Sequence, residues 1–478
     1  MNLAIHLRLL ATTFAICVSV VRAEDSSPIA DAAQSQQWQR VSDLISQGHS
    51  PSDPQPDGMT AIHWSVFHQN VTTTRQLIEA GANVNATTRY DITPLSIACS
   101  AGNAKLVGTL LEASADANAT QTGGVTPLML ASKCDNPVSI KLLRSHGAEL
   151  EATERRGQTA IMWAAAHGNF AAVDALLTEG ADPAATSKGG FTALMFAARD
   201  GHPKIVDRLI EAGVDVNAAL PATKSGERAP RAGTSALILA VESGHFELAM
   251  QLIGYGADPN DQRSGFTPLH VLTWVRKPNR GDNPDGDPPP RGSGNITDLQ
   301  FVRALVDAGA DVNRKLESGK GGRAVLNPRG ATPMLWAAKT ADLPLMHVLF
   351  ELGADPILGN VEGCTPLMAA AGVGVRAVGE EAGTEREVLQ ALEFLISCGA
   401  DVNTVDANQE TAMHGAAYRN FPAVVTYLAA HGADPDTWNH KNQSGWTPVM
   451  IAQGHRPGSF KPSPETVTAL ELALKTSP

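Results

Sequence analysis

At 478 residues, with 43% hydrophobic but only 5% aromatic content and 43 glycines, the chain suits many small helices packed through alanine and leucine rather than one large aromatic core. A formal net charge of −12 makes nucleic acid a poor expected partner, because phosphate backbones are held by basic surfaces.

In chain order, Arg8 precedes an apolar run from Leu9 to Val21, and Val21-Arg22-Ala23 offers small residues at the two positions a signal peptidase reads. Residues 1–23 are therefore expected to be a cleaved export signal, since a run of about 13 residues falls short of the roughly 20 that span a bilayer. The mature protein is expected to be periplasmic or secreted, without stable membrane insertion. A degenerate unit follows at 24–59, framed by Ser27-Pro28 and Gly48 with a Pro-rich end (Pro51, Pro54, Pro56).

From residue 60 a threonine recurs every 33 residues, at Thr60, Thr93, Thr126, Thr159 and Thr192. Each opens a short apolar stretch, such as Thr126-Pro127-Leu128-Met129-Leu130-Ala131, in which Thr caps a helix and Pro fits its first turn. Gly102, Gly168 and Gly201 end these first helices. Gly81, Gly147, Gly180 and Gly213 end the second helices, with Ser114 standing where a fifth glycine is expected. A Gly-Ala-Asp-Val-Asn segment then leads on, as at Gly309–Asn313 and Gly399–Asn403. Carried outward, the phase adds anchors at Ser27, Ser235, Thr267, Thr332, Thr365, Thr411 and Thr447, so the array runs over 60–446 and closes with a capping unit at 447–478 that holds a helix near 465–474. Four insertions interrupt it, at 218–233, 276–297, 314–330 and 371–388.

This spelling resembles the ankyrin repeat from about Ser27 to the C-terminus. The resemblance implies an all-α solenoid of stacked helix-turn-helix units with hairpin-like fingers, and a non-catalytic scaffold that binds a partner protein through the finger and first-helix groove. Its variable contact positions would lie four, three and one residues before each anchor and seven and eight after it. Those positions carry Arg89, Lys133, Arg155, Arg156, Lys188, Arg199, Arg231, Arg263, Arg329, Lys339 and Arg419, against only Asp57, Asp200, Glu242, Glu362 and Glu410. Such a basic face on an acidic chain would steer an anionic partner surface, unless its cations pair with neighbouring carboxylates. Tyr90, Phe191, Phe266, Trp274, Tyr418 and Trp446 are the aromatic contact candidates, because aromatics with arginine dominate binding hot spots. Trp64, Trp163, Phe196 and Trp336 read as core.

Other constellations point away from chemistry. His63, His270 and His414, three residues after their anchors, read as finger-bonding groups. Asp282, Asp285 and Asp287 lack the spacing of a calcium loop and read as a solvated turn, and no cofactor or metal site is expected. Cys364 and Cys398 flank one helix pair and would either form a disulfide or remain small buried thiols. The alternative function is an accessory, chaperone-like or inhibitory subunit of an exported enzyme, gripping through its inserted loops.

Overall fold

The computed structural model describes residues 27–222, 231–278, 288–320, 325–376, 378–379, 381–456, 458 and 461–476. The expected signal at 1–23 and the acidic turn at Asp282, Asp285 and Asp287 lie outside the described residues. Within them the chain forms twenty-five helices and two isolated β-bridges, Gln121 with Val125 and Ala219 with Ser235.

Each expected anchor stands immediately before a first helix, most of them in extended geometry, as Thr93 is with φ −101° and ψ 159°, whereas Ser27 has ψ 89°. That geometry turns its side chain back over the new helix. Thr93 Oγ1 accepts the Ser96 N–H at 3.1 Å, and Thr126, Thr332 and Thr365 cap their helices likewise, with proline at the first helical turn.

The chain divides into two compact units. The first comprises Met1–Ala197 and Lys204–Val214, the second Ala198–Pro203 and Asp215–Pro478. Unit 1 holds the helix pairs α1 (Pro28–Gln34) and α2 (Trp38–Ser46), α3 (Ala61–Phe67) and α4 (Val71–Glu79), α5 (Pro94–Ser100) and α6 (Ala104–Glu112), α7 (Pro127–Lys133) and α8 (Pro137–Ser145), and α9 (Ala160–Ala166) and α10 (Phe170–Thr178), with most of α11 (Ala193–Asp200) and α12 (Pro203–Glu211). Unit 2 holds α13 (Ala236–Glu242) and α14 (Phe246–Gly254), α15 (Pro268–Arg276) and α16 (Asp298–Asp307), α17 (Pro333–Lys339) and α18 (Leu343–Glu351), α19 (Pro366–Ala371) and α20 (Glu385–Ser397), and α21 (Ala412–Arg419) and α22 (Pro422–Ala430). It ends with the short α23 (Pro435–Trp438), α24 (Pro448–Ala452) and α25 (Pro464–Thr476). Helix α20 starts inside the stretch expected to be loop, because Thr384 and Glu387 form a reciprocal capping box.

The core is a line of short apolar side chains. Leu95, Ala98, Leu106 and Leu110 are fully buried within one repeat, and Leu128, Ala131, Ile140 and Leu143 repeat them in the next. Asparagine joins consecutive repeats. Asn118 Nδ2 donates to the Gly147 carbonyl at 2.9 Å while its Oδ1 accepts the Glu149 N–H at 2.9 Å, and Asn85, Asn260, Asn313 and Asn403 repeat this staple. The Asn of Gly-Ala-Asp-Val-Asn thus satisfies the carbonyl at the end of the next second helix, where the backbone has no helical partner.

Ser114 holds φ +66° at the position where Gly81 and Gly147 hold +86°. A side chain there is strained by crowding of Cβ against the following carbonyl. Ser114→Gly is expected to stabilise unit 1 by about 1 kcal/mol, read as a higher urea midpoint at unchanged slope.

Candidate partner-binding face

Several fingers are closed by the residue five before the anchor. Asn360 Oδ1 accepts the N–H groups of Glu362 and Cys364, Asp406 Oδ1 those of Asn408 and Glu410, and Asn442 Oδ1 those of Ser444 and Trp446, all between 2.8 and 3.1 Å. Thr88 and Glu154 close their turns in the same way. A local side-chain acceptor replaces the strand partner that so short a hairpin lacks.

In unit 1 the finger tips are also tied to one another through the backbone. The N–H of Arg89 donates to the Asp57 carbonyl, Thr122 to Tyr90, Arg155 to Gly123 and Lys188 to Arg156, at 2.8–3.3 Å. This ladder consumes main-chain groups only and leaves the tip side chains free to point outward. Arg89, Arg155, Arg156 and Lys188 are exposed, as is Lys133 at the end of α7, and Tyr90 is 62% exposed. None of these five cations makes an ion pair among the described residues, although Lys188 Nζ donates to the Arg155 carbonyl at 2.9 Å. The carboxylates within the same tips are already occupied: Asp91 accepts from Thr122 Oγ1 and Glu154 closes its own turn. Phe191 is half-buried against Phe196, with ring centroids 5.2 Å apart.

Unit 2 treats the same positions differently. Arg199 is paired with Asp200 at 2.8 Å, Arg263 with Asp261 at 2.8 Å, and Arg231 with Glu242 at 3.6 Å. The Arg231 guanidinium also lies 4.9 Å from the Phe266 ring centroid and 5.3 Å from that of Trp274, and Phe266 stands edge-on to Trp274 and Trp336. Four residues singled out as core or contact groups therefore form one cation–aromatic cluster. Lys339 is largely covered and paired with Glu381 at 2.9 Å. Arg329 remains exposed, and Trp446 is half-buried.

Two expected contact residues are not on the surface. Tyr418 has 0% exposure and Arg419 4%. The cause is the insertion after α19, which folds down over the first helices. Arg419 donates to the carbonyls of Ala382, Gly383 and Lys339, and Arg456 to those of Tyr418, Val375 and Arg376. Val373, Val375 and Ala382 are buried beneath this clasp, and Val373 packs with Leu326, Leu335, Cys364 and Met368. Gly374 approaches so closely that a Cβ there would lie 2.6 Å from the Leu326 nitrogen. The segment 371–376 is a packed element rather than the open glycine loop that its sequence suggests. The insertion after α15 is likewise seated where described: the Ser293 N–H donates to His245 Nδ1 at 2.8 Å and Asn295 N–H to Glu247 at 2.7 Å.

Cys364 and Cys398 carry free thiols, contrary to the disulfide alternative. Cys364 faces the α17 side of its repeat, among Leu326, Ala331 and Leu335, whereas Cys398 caps α20. His63, His270 and His414 each meet their threonine hydroxyl through Nδ1, at 2.7–3.0 Å. Through Nε2 each reaches a carbonyl of the next finger, that of Ile92, Ala331 or His440 respectively. Burial pushes His270 and His414 down to about 3, so both act as neutral braces.

The profile for three copies of the ankyrin repeat matches residues 29–121, 74–154, 128–219 and 382–461, and the single ankyrin-repeat profile matches 232–263. The chain belongs to the ankyrin-repeat family. Members of this family are in general protein-binding scaffolds. The chain is 31% identical over 137 residues to "Ankyrin repeat, SAM and basic leucine zipper domain-containing protein 1" of Dasypus novemcinctus, covering 29% of this chain and 25% of that one. It is 28% identical over 165 residues to "Ankyrin repeat and KH domain-containing protein CBG24701" of Caenorhabditis briggsae, covering 30% and 6%. It is 35% identical over 80 residues to "Protein fem-1 homolog C" of Xenopus laevis, covering 17% and 13%. The matches thus span a quarter or less of these curated relatives. The crystal structure of the human ASB11 ankyrin repeat domain aligns with 55% of this chain and 100% of its own, at 18% identity and a TM-score of 0.43.

The clasp makes Arg419 structural. Arg419→Ala is expected to cost about 2–4 kcal/mol by leaving buried carbonyls unpaired. Chemical denaturation would read the loss, and new limited-proteolysis cuts within 372–384 would locate it.

Proposed function

We propose that this protein is a non-catalytic, exported recognition array of twelve repeats that holds an acidic segment of a partner protein along the finger tips of unit 1. The observation that carries the reading is the set Arg89, Lys133, Arg155, Arg156 and Lys188: exposed, unpaired by any carboxylate among the described residues, and spaced by a backbone ladder. Stacked helices sit about 8–10 Å apart and an extended chain rises about 3.3 Å per residue, so carboxylates roughly three residues apart meet successive repeats. Tyr90 and Phe191 supply the apolar contacts beside them.

Of the histidines with depressed basicity, His63, His270 and His414 are consumed in bracing fingers and His245 in holding Ser293, which supports binding without catalysis or cofactor. Among the described residues, no group of three or more His, Cys, Asp or Glu is arranged to hold a metal, and no helix is long and apolar enough to cross a membrane. The competing reading, an accessory subunit gripping through its insertions, is disfavoured by the burial of 371–375, although 292–295 remain exposed while bonded to His245 and Glu247. Export rests on Arg8, the apolar run and Val21-Arg22-Ala23. Intact-mass measurement of the native protein is expected to find a chain beginning at Glu24, and a retained Met1 would refute export by cleavage.

Binding of a fluorescent glutamate-rich peptide is expected to weaken about tenfold or more in the Arg155→Glu, Arg156→Glu, Lys188→Glu variant and to fall with added salt. Arg263→Glu, which alters a cation already held by Asp261, should leave affinity within about twofold. Salt-independent binding, or equal loss in both variants, overturns the assignment.

A further inference from the structure

The fingers before Thr365, Thr411 and Thr447 place the same turn-closing position in three consecutive units, and its occupants are Asn360, Asp406 and Asn442. All three use Oδ1 identically, accepting two N–H groups of their own turn. The second atom of each asparagine amide is a donor. Asn360 Nδ2 donates to the Asn327 carbonyl at 2.9 Å, and Asn442 Nδ2 to Glu410 at 3.0 Å and to the Tyr418 hydroxyl at 3.0 Å. In Asp406 the corresponding atom, Oδ2, is buried without a hydrogen-bond partner among the described residues, in a side chain 4% exposed.

Its surroundings are acidic. Glu410, 7% exposed, accepts the Tyr418 hydroxyl at 2.8 Å as well as the Asn442 amide. Glu362 accepts from Asn327 at 2.8 Å and Asn408 at 3.0 Å. The buried Cys364 thiol also feels the charges of Asp406, Glu410 and Glu362; Arg456 meets the ring and carbonyl of Tyr418, which bonds Glu410, and His440 Nε2 meets the Gln409 carbonyl of the same finger. An ionised carboxylate buried with an unsatisfied oxygen beside two further carboxylates is costly, whereas a protonated one supplies the donor its asparagine neighbours have.

We propose that Asp406 is a proton-binding site, protonated in the closed array, whose proton latches the fingers of residues 399–411 and 432–447 and which opens them when that proton is lost. The latch is linked to the insertion, because Tyr418 bonds Glu410 on one side and its carbonyl holds Arg456, the clasp of Val375 and Arg376. Burial raises Asp406 to about 6 and Glu410 to about 7, each above its ordinary carboxyl value. A raised folded-state value means the folded chain binds the extra proton. Its contribution is therefore complete below the ordinary carboxyl range and is lost as pH rises through about 6 to 7. His270 and His414 titrate with the opposite sign, losing stability as pH falls below their ordinary value, and do so equally with and without Asp406.

The test is hydrogen exchange of the full-length protein from about pH 5 to about pH 8, with Asp406→Asn as the permanent mimic of the protonated acid and Glu410→Gln as the second variant. After correction for intrinsic exchange, opening of the 399–411 and 432–447 amides in the wild type should rise several-fold and up to about tenfold per pH unit. The slope should fall in Asp406→Asn, which stays closed, to what Glu410 and the histidines still contribute, and should also fall in Glu410→Gln. The carboxylic-acid carbonyl band in the infrared should weaken in Asp406→Asn at about pH 5. Flat exchange in the wild type, or a wild-type slope retained in Asp406→Asn, overturns the proposal.

Discussion

The asparagine that closes each Gly-Ala-Asp-Val-Asn segment is the constraint on which the stacking depends. A helix of nine residues ending at a glycine leaves carbonyls without partners, and a lone helix pair cannot shelter them. Asn85, Asn118, Asn260, Asn313 and Asn403 each reach into the following repeat and satisfy one such carbonyl, while receiving an N–H in return. Two hydrogen bonds per junction set the distance and register between repeats. Histidine braces such as His63 Nε2 to the Ile92 carbonyl hold the finger end of the same junction. Apolar burial supplies the driving force, but these polar contacts decide how one repeat sits on the next.

Given that register, the two units differ in what their finger side chains do. Main-chain N–H and carbonyl groups tie tips together in both units, and in unit 1 Arg89, Arg155, Arg156 and Lys188 stay exposed and outside any ion pair among the described residues. In unit 2 the corresponding cations, exposed Arg329 apart, are engaged within the chain. Arg263 and Arg231 find carboxylates and rings, Lys339 finds Glu381, and Arg419 and Arg456 are buried as clasps over an insertion. The basic face counted from sequence is thus an available surface in one unit and largely an internal framework in the other. Exposed pairs of this kind contribute little stability, so their chief consequence is to remove charge from recognition.

The fold was legible because its signals are local and repeated. Threonine, proline and glycine act on their own helix ends, and Ser114 adopted the glycine conformation even without the glycine. The face was legible only where nothing covers it. Counting seven and eight residues from Thr411 placed Tyr418 and Arg419 on a surface, and the count is correct for a bare repeat. The covering insertion lies far away in sequence, and a glycine-rich run such as Gly372-Val373-Gly374 reads as loop. Its burial could have been suspected from Val373, Val375 and Ala382, apolar residues with no helix to join. Of the two outcomes left open for Cys364 and Cys398, free thiols rather than a disulfide are found, for a related reason. Flanking one helix pair does not fix side-chain direction, and Cys364 points to the neighbouring repeat's helix instead.

A linear array also limits how far any perturbation travels. Repeats are sheltered chiefly by their neighbours, with contacts such as Arg419 to the Lys339 carbonyl and Lys277 to Glu387 reaching one repeat further, so a change at one finger acts mainly on the junctions beside it. The acidic cluster of Glu362, Asp406 and Glu410 spans two such junctions and touches the insertion clasp through Tyr418 and Arg456. Asp406 stands at a turn position that asparagine fills on either side. A purely structural turn has no need of an acid there, since Asn360 and Asn442 close theirs with an amide and no charge to desolvate. Placing an acid where an amide suffices makes the closure of those fingers conditional on proton activity, while the open cationic tips of unit 1 stand on junctions of their own.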